Sequence, residues 1–245
     1  VLTPSHEGTF VVFEGGDGSG KSTQIRLLRA AIERTGRDVV VTREPGGTPL
    51  GEGIREVLLS RGSDAMADRT EALLYAAVRA QHVEEVIQPA LEKGSVVLCD
   101  RFIDSSIVYQ GIARGLGEDQ VKELNRWATG DLAPDLTVLL DVDPAEGLRR
   151  ATERRDLDRL EAAGVEFHRR VRDAYRHRAD SDPNDYLVLD ATRPVEELHE
   201  AIRNEVLRRL GGEEDPSEPS PSAPAKTPSE PSHHEGDTPT QGASA

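Results

Sequence analysis

Residues Gly15 to Ser22 read G-G-D-G-S-G-K-S, a full match to the phosphate-loop pattern G-x-x-x-x-G-K-[ST]. In such a loop glycines let successive backbone N–H groups turn inward around a polyphosphate. The helix that follows adds free donors and its positive dipole end. Lys21 is then placed to reach β- and γ-phosphates, and the Ser22 hydroxyl to ligate Mg²⁺. An ordinary glycine turn between strand and helix would use the same residues. Context argues against it. The apolar, β-branched run Thr9–Phe13 leads straight into the loop, and Ile25, Leu27, Leu28, Ala31 and Ile32 follow at helical spacings. The loop specifies a nucleoside triphosphate and leaves the fate of its γ-phosphate open.

Other segments add possible acceptor chemistry. Arg43-Glu44-Pro45-Gly46-Gly47-Thr48 must form a loop, and its flanking charges serve equally as a salt-bridged turn or as ligand contacts. Arg55 suits either a surface position or a phosphate contact. Cys99-Asp100-Arg101-Phe102 closes an apolar run and leads into Ile103-Asp104-Ser105-Ser106. An acid there occupies the place where phosphate-loop enzymes hold a carboxylate near the metal. Arg101 offers a planar fork for a second phosphate, although a local Asp–Arg pair is the alternative. Tyr75 and Arg79, four residues apart, share a helix face and can stack on and hydrogen-bond a nucleobase. Taken alone they more often form a core aromatic beside a surface arginine. Arg149, Arg150, Arg154, Arg155 and Arg159 crowd a segment that also holds Glu153, Asp156, Asp158 and Glu161. This is either a charged helix face or a lid bringing positive charge to a transferring phosphoryl group. Residue chemistry alone therefore reaches a phosphotransferase with a second phosphate site and a base pocket.

These segments must be positioned by the elements between them. Strands are expected at Thr9–Phe13, Asp38–Thr42, Ser95–Cys99, Leu136–Asp141 and Tyr186–Leu189. Helical periodicity spans 21–35, 50–60, 68–93, 104–113, 118–129, 144–153, 158–180 and 195–210. Such alternation predicts one doubly wound α/β domain with a parallel sheet, and ligands bind at the carboxyl ends of its strands. The chemistry-bearing segments fall at or just after those ends.

Composition narrows the partners. The 245 residues carry a net charge of −15, which opposes a nucleic-acid partner. Lysine occurs only at positions 21, 93, 122 and 226. The lone Cys99 lies in an apolar run, which fits a buried small hydrophobe and a reducing, cytoplasmic setting. No apolar run reaches membrane-spanning length, and no signal peptide is expected at the start. From Gly211 to Ala245 there is no Leu, Ile, Val or Phe, and seven acids against Lys226 leave that segment at −6. Residues 211–245 are expected to be a disordered acidic tail, with His233 and His234 a weak metal site, and residues 1–7 a flexible start.

In order, these runs resemble the thymidylate kinase family, of the bacterial type with lid arginines, over roughly residues 8 to 210. The shared stretches are F-E-G-G-D-G-S-G-K-S-T at Phe13–Thr23, T-R-E-P-G-G-T at Thr42–Thr48 and L-L-Y-A-A-V-R-A-Q-H at Leu73–His82. V-V-L-C-D-R-F-I-D-S-S at Val96–Ser106, Y-Q-G at Tyr109–Gly111 and L-D-R-L-E at Leu157–Glu161 complete them. The resemblance implies a P-loop nucleoside monophosphate kinase fold, a five-stranded parallel sheet flanked by helices. It implies transfer of the γ-phosphoryl of MgATP to dTMP, in a cytoplasmic homodimer with no nucleic-acid or membrane partner. By resemblance, ATP lies on Gly15, Gly16, Asp17, Gly18, Ser19, Gly20, Lys21, Ser22 and Thr23, with Ser22 and Asp100 toward Mg²⁺. Tyr75 takes the place of the ring on thymine and Arg79 that of the arginine at its carbonyl. Arg55 and Arg101 resemble the arginines on the dTMP phosphate, and Asp17 the carboxylate near the sugar 3′-hydroxyl. Ser105, Ser106, Tyr109, Gln110 and Glu44 match further acceptor-site positions. Gly18 stands where a second lineage carries a catalytic arginine, so the lid (about 149–161) must supply it. Arg154 is the first choice, with Arg150 and Arg155 beside it, and Lys21 and Arg101 complete the catalytic set. Phe102 replaces a tyrosine also common in the family. A kinase for another nucleotide or nucleoside, and a regulatory ATP-binding protein, are the alternatives.

Overall fold

The sheet is built from β1 (Thr9–Glu14), β2 (Val39–Arg43), β3 (Val96–Asp100), β4 (Leu136–Asp141) and β5 (Tyr186–Asp190). All neighbours are parallel, in the order β2-β3-β1-β4-β5. The computed structural model describes residues 7–63, 65–153, 159–160 and 163–211. Every expected strand forms, but four of them extend one residue further, each onto a charged residue: Glu14, Arg43, Asp100 and Asp190. The ladder explains the shift, since Asp100 pairs in register with both Phe13 and Arg43. Backbone hydrogen bonding rather than apolarity sets where a strand ends, so these charges stand at the sheet's carboxyl edge.

Two helical layers cover the sheet. On one side α1 (Lys21–Glu33) and α9 (Val195–Arg209) bury Leu28, Ile32, Ile202 and Val206 against Val11, Phe13, Leu98 and Val138. On the other, α3 (Asp68–His82) runs through a π-type turn at Val83–Ile87 into α4 (Gln88–Glu92). This segment packs Val83, Ile87 and Leu91 on Phe10, Val12, Val97 and Cys99. β1 thus sends alternate residues to opposite layers, and both are buried, as a central parallel strand requires. Cys99 is a buried packing residue. Burial pushes its thiol well above the ordinary range, which suits an inert role.

The remaining helices frame the carboxyl edge. α2 (Pro49–Leu59) starts after Thr48, whose hydroxyl caps it by accepting from Gly51 N at 2.9 Å. α5 (Ile103–Ser106) continues as a π-type segment, Ile107–Ala113, and α6 (Glu118–Thr129) follows. α7 (Pro144–Thr152) leaves β4. The expected helix 158–180 is corrected: α8 spans Val165–Ser181 and is preceded by Gly164 at φ 92°. A right-handed helix cannot run through that angle, and Arg159 and Leu160 are turn residues packed inward. Among the described residues no helix is long and apolar enough to cross a membrane. Residues 1–6 and 212–245, and with them most of both expected flexible ends, lie outside the described residues.

Candidate active site

The loop between β1 and α1 turns on glycines in left-handed conformations. Gly18 has φ 72°, and a Cβ there would lie 2.1 Å from the carbonyl oxygen of Gly147 on α7. No larger residue fits, so this loop cannot carry the arginine of the second lineage. At the start of α1, Lys21 Nζ donates to Gly15 O at 3.0 Å and Gly16 O at 3.1 Å. It lies 4.0 Å from Asp100 Oδ1. Burial and then Arg101 pull the ammonium's pKa down against the carboxylates of Asp100, Asp17 and Glu14. Ser22 Oγ donates to Asp100 Oδ2 at 3.4 Å, so a hydroxyl and a carboxylate stand side by side at the loop's edge.

After β3 the backbone makes an unusual turn, with Arg101 at φ 70°. Arg101 N donates to Phe13 O at 2.9 Å, and Phe102 N to Glu14 Oε1 at 2.9 Å, which holds the turn. The local Asp100–Arg101 pair does not form. Arg101 instead donates to Asp17 Oδ1 in the phosphate loop at 2.8 Å, and its ring-facing side lies over Tyr109. Burial would raise the Asp17 pKa, but Arg101, Lys21 and His168 hold it below the usual range. Behind them sits Glu14, fully buried, which accepts from Ser105 Oγ at 2.7 Å and Tyr175 Oη at 2.7 Å. Burial and then Asp104 raise its pKa despite Arg101, the Tyr175 hydroxyl and the Phe102 N–H.

The third group comes from α3. Arg79 is not the surface arginine its sequence position suggests; it is among the largest fully buried side chains. Its Nε donates to Glu44 Oε2 at 2.7 Å, and its two terminal nitrogens to Ser106 Oγ at 2.9 Å, Phe102 O at 2.9 Å and Asn125 Oδ1. His82 bridges Glu44 Oε1 at 3.0 Å and Thr42 Oγ1 at 2.6 Å. Of the two readings of Arg43-Glu44, the self-contained salt-bridged turn does not form. Arg43 pairs with Glu52 at 2.9 Å and Glu44 turns inward. Arg55 donates to Pro45 O at 2.6 Å, at the mouth of the same space.

That space is one cleft of about 330 Å³. It brings together every acceptor-site residue expected from sequence: Asp17, Glu44, Arg55, Tyr75, Arg79, Arg101, Ser105, Ser106, Tyr109 and Gln110. It also holds Gly18, Ser19, Gly20, Lys21, Ser22 and Asp100, whereas Gly15 and Gly16 line a small pocket behind the loop and Thr23 lines neither. The hydroxyls of Ser19 and Tyr109 are buried and meet no hydrogen-bond partner among the described residues. Unpaired buried hydroxyls in a cleft suit a polar ligand. The thymidylate kinase family model matches residues 13–202. The chain belongs to the thymidylate kinase family.

It is 53% identical over 203 residues to the thymidylate kinase of Cutibacterium acnes, covering 83% of this chain and 98% of that protein. The thymidylate kinase of Deinococcus radiodurans is 50% identical over 203 residues, with coverage of 83% and 98%. The crystal structure of thymidylate kinase from Ehrlichia chaffeensis superimposes with a TM-score of 0.66 at 33% identity, covering 83% of this chain and 98% of that one. The fold is therefore the P-loop nucleoside monophosphate kinase fold. Among the family's expected lid arginines, Arg154 and Arg155 lie outside the described residues. Arg150 is held by Glu146 at 2.6 Å and Ala191 O at 3.1 Å, on the α7 turn beside Gly18. Glu14, Glu71, His82, Asn125, Tyr175 and the inward-packed Arg159 join the network around the cleft without being expected from sequence. One signal was available: positions 71, 75, 79 and 82 repeat at helical spacing, so a polar stripe accompanies Tyr75 and Arg79.

Proposed function

We propose that this chain phosphorylates dTMP to dTDP with ATP as donor, a step toward dTTP. The observation that carries the proposal is the single cleft joining the phosphate loop to a second set of phosphate- and base-binding groups. A regulatory ATPase needs no second nucleotide pocket. Lys21 meets the β- and γ-phosphates, and Arg101, poised between loop and cleft, receives the acceptor phosphate in its planar fork. Tyr75 stacks on the base, Arg79 donates to its carbonyl and Asp17 accepts from the sugar hydroxyl. Arg55 supports the acceptor phosphate, while Ser105, Ser106, Tyr109, Gln110 and Glu44 complete the walls.

Ser22 and Asp100 fit Mg²⁺, because both present hard oxygen donors and such ions take few protein ligands alongside phosphate and water. Held by Ser22 and Asp100, Mg²⁺ would supply charge neutralisation to the bound triphosphate. The protein's own work is positioning and electrostatic stabilisation, with no covalent intermediate. Arg150, Arg154 and Arg155 of the lid segment supply positive charge to the moving phosphoryl group. An ADP-release assay across dTMP, AMP, GMP and thymidine tests the assignment. Turnover with dTMP alone supports it, and acceptor-independent hydrolysis overturns it.

Arg101→Ala should lower dTMP-dependent turnover by about 10³-fold, because it removes the guanidinium that ties Asp17 of the phosphate loop to the acceptor side of the cleft. A near-native rate would remove Arg101 from the machinery. A homodimer, working in the cytoplasm, completes the proposal. Exposed Leu50 and Val57 on α2, Leu73 on α3 and Trp127 on α6 support it, since α2 and α6 both pack against α3 and each of the three helices leaves apolar side chains for a second copy to cover. Residues 8–210 form the catalytic domain in this scheme, and the acidic segment 211–245 is dispensable. Its deletion should leave both the dTMP-dependent rate and the dimeric mass by light scattering unchanged, and a large loss of either would assign the segment a structural role.

A further inference from the structure

Glu71 lies in the first turn of α3, is buried, and has no part in the chemistry so far. Its Oε1 accepts from Gln110 Nε2 at 2.8 Å. Its Oε2 accepts from Arg159 at 2.6 Å and from Arg114 at 3.3 Å. The two guanidiniums compensate a carboxylate that would otherwise be costly to bury. Gln110 is buried as well and lines the cleft.

A glutamine side chain is nearly symmetric in shape but not in chemistry: one end accepts and the other donates. Sterically it could sit either way round. A carboxylate can only accept, so beside Glu71 the NH₂ end is fixed inward. The carbonyl Oε1 is then the atom left for other partners, and no described residue donates to it. A fixed acceptor on the cleft wall suits a base N–H such as N3–H of thymine. It opposes the lone pair at N3 of cytosine.

We propose that Glu71 is a positioning residue for acceptor-base specificity, locking the Gln110 amide so that its carbonyl oxygen faces the base N–H. The proposal rests on dTMP being the acceptor. A pocket built around a directed hydrogen bond discriminates more strongly than an apolar one, because a wrong base leaves its polar groups unpaired.

The test compares dTMP and dCMP as acceptors, with ATP as donor, in the full chain and in Glu71→Gln. An amide at position 71 can accept or donate, so Gln110 is free to turn over. The ratio of kcat/KM for dTMP over dCMP should fall about tenfold, mainly through KM, while the KM for ATP stays unchanged. Arg79 preserves the rest of the discrimination. An unchanged ratio in folded Glu71→Gln overturns the proposal. If that variant unfolds because Arg159 is stranded, Glu71→Gln combined with Arg159→Met removes the stranded cation and the same ratio is read. A parent chain that turns over no dTMP would instead defeat the kinase assignment itself, which separates the two failures.

Discussion

Lys21→Ala is expected to reduce dTMP-dependent turnover by about 10³-fold or more while leaving the fold intact. The ammonium is buried at the helix start, held by two loop carbonyls within 3.1 Å. Burial and Arg101 disfavour its charge, and Asp100, Asp17 and Glu14 restore part of what is lost. The site has thus already stripped the cation of water before a triphosphate arrives, and a desolvated charge acts more strongly on a developing phosphoryl charge. Among the described residues Arg101 does not take its place, because it pairs with Asp17 at 2.8 Å and faces the acceptor side. Stability should change little, since Lys21 belongs to none of the hydrophobic clusters and its hydrogen bonds each contribute about 1 kcal/mol. ADP release and thermal unfolding measured on one preparation check both halves. Near-native turnover would refute the role of Lys21, and gross unfolding would refute its separation from the core.

Arg79→Met should fail differently, losing stability as well as acceptor binding. The guanidinium and its partner Glu44 are both almost fully buried, so its removal strands a carboxylate beside His82 alone. Breaking a buried pair from one side costs about 3–5 kcal/mol. For a domain of this size that lowers Tm by about 6–20 °C. Ser106, Asn125 and the carbonyl of Phe102 lose a donor at the same time. Adding Glu44→Gln to Arg79→Met removes the stranded charge and should recover part of the Tm, whereas the raised KM for dTMP should persist. An unchanged Tm in the single variant would mean the buried pair contributes nothing to the folded state. Recovery of KM in the double variant would mean Arg79 does not touch the base.

Much of the site was legible before any tertiary structure. The phosphate loop was, because glycines, lysine and serine at fixed spacing report local backbone geometry. So was the order of strands and helices, since periods of two and near four are written into adjacent residues. The resemblance assembled the acceptor residues, and all of them line one cleft. The start of α8 is not legible in the sequence, because the charged residues before Gly164 continue a helix-compatible composition. Arg79 looked exposed because a polar stripe on a helix reads alike whether it meets water or a polar cleft.

The chain's α/β order, its phosphate loop and its family can be read from the residues alone. Those features depend on local periodicity, backbone freedom and short runs of residues. Which charges meet depends on the folded arrangement. Neighbours Arg43 and Glu44 part company, since successive side chains leaving a strand point to opposite faces. Arg101 ignores adjacent Asp100 and reaches Asp17, 84 residues away, while Glu71 takes Arg159 across 88. Strand order and register fix such pairings, and no local window of sequence contains them. The same kind of long-range contact orients the Gln110 amide, whose Nε2 donates to Glu71.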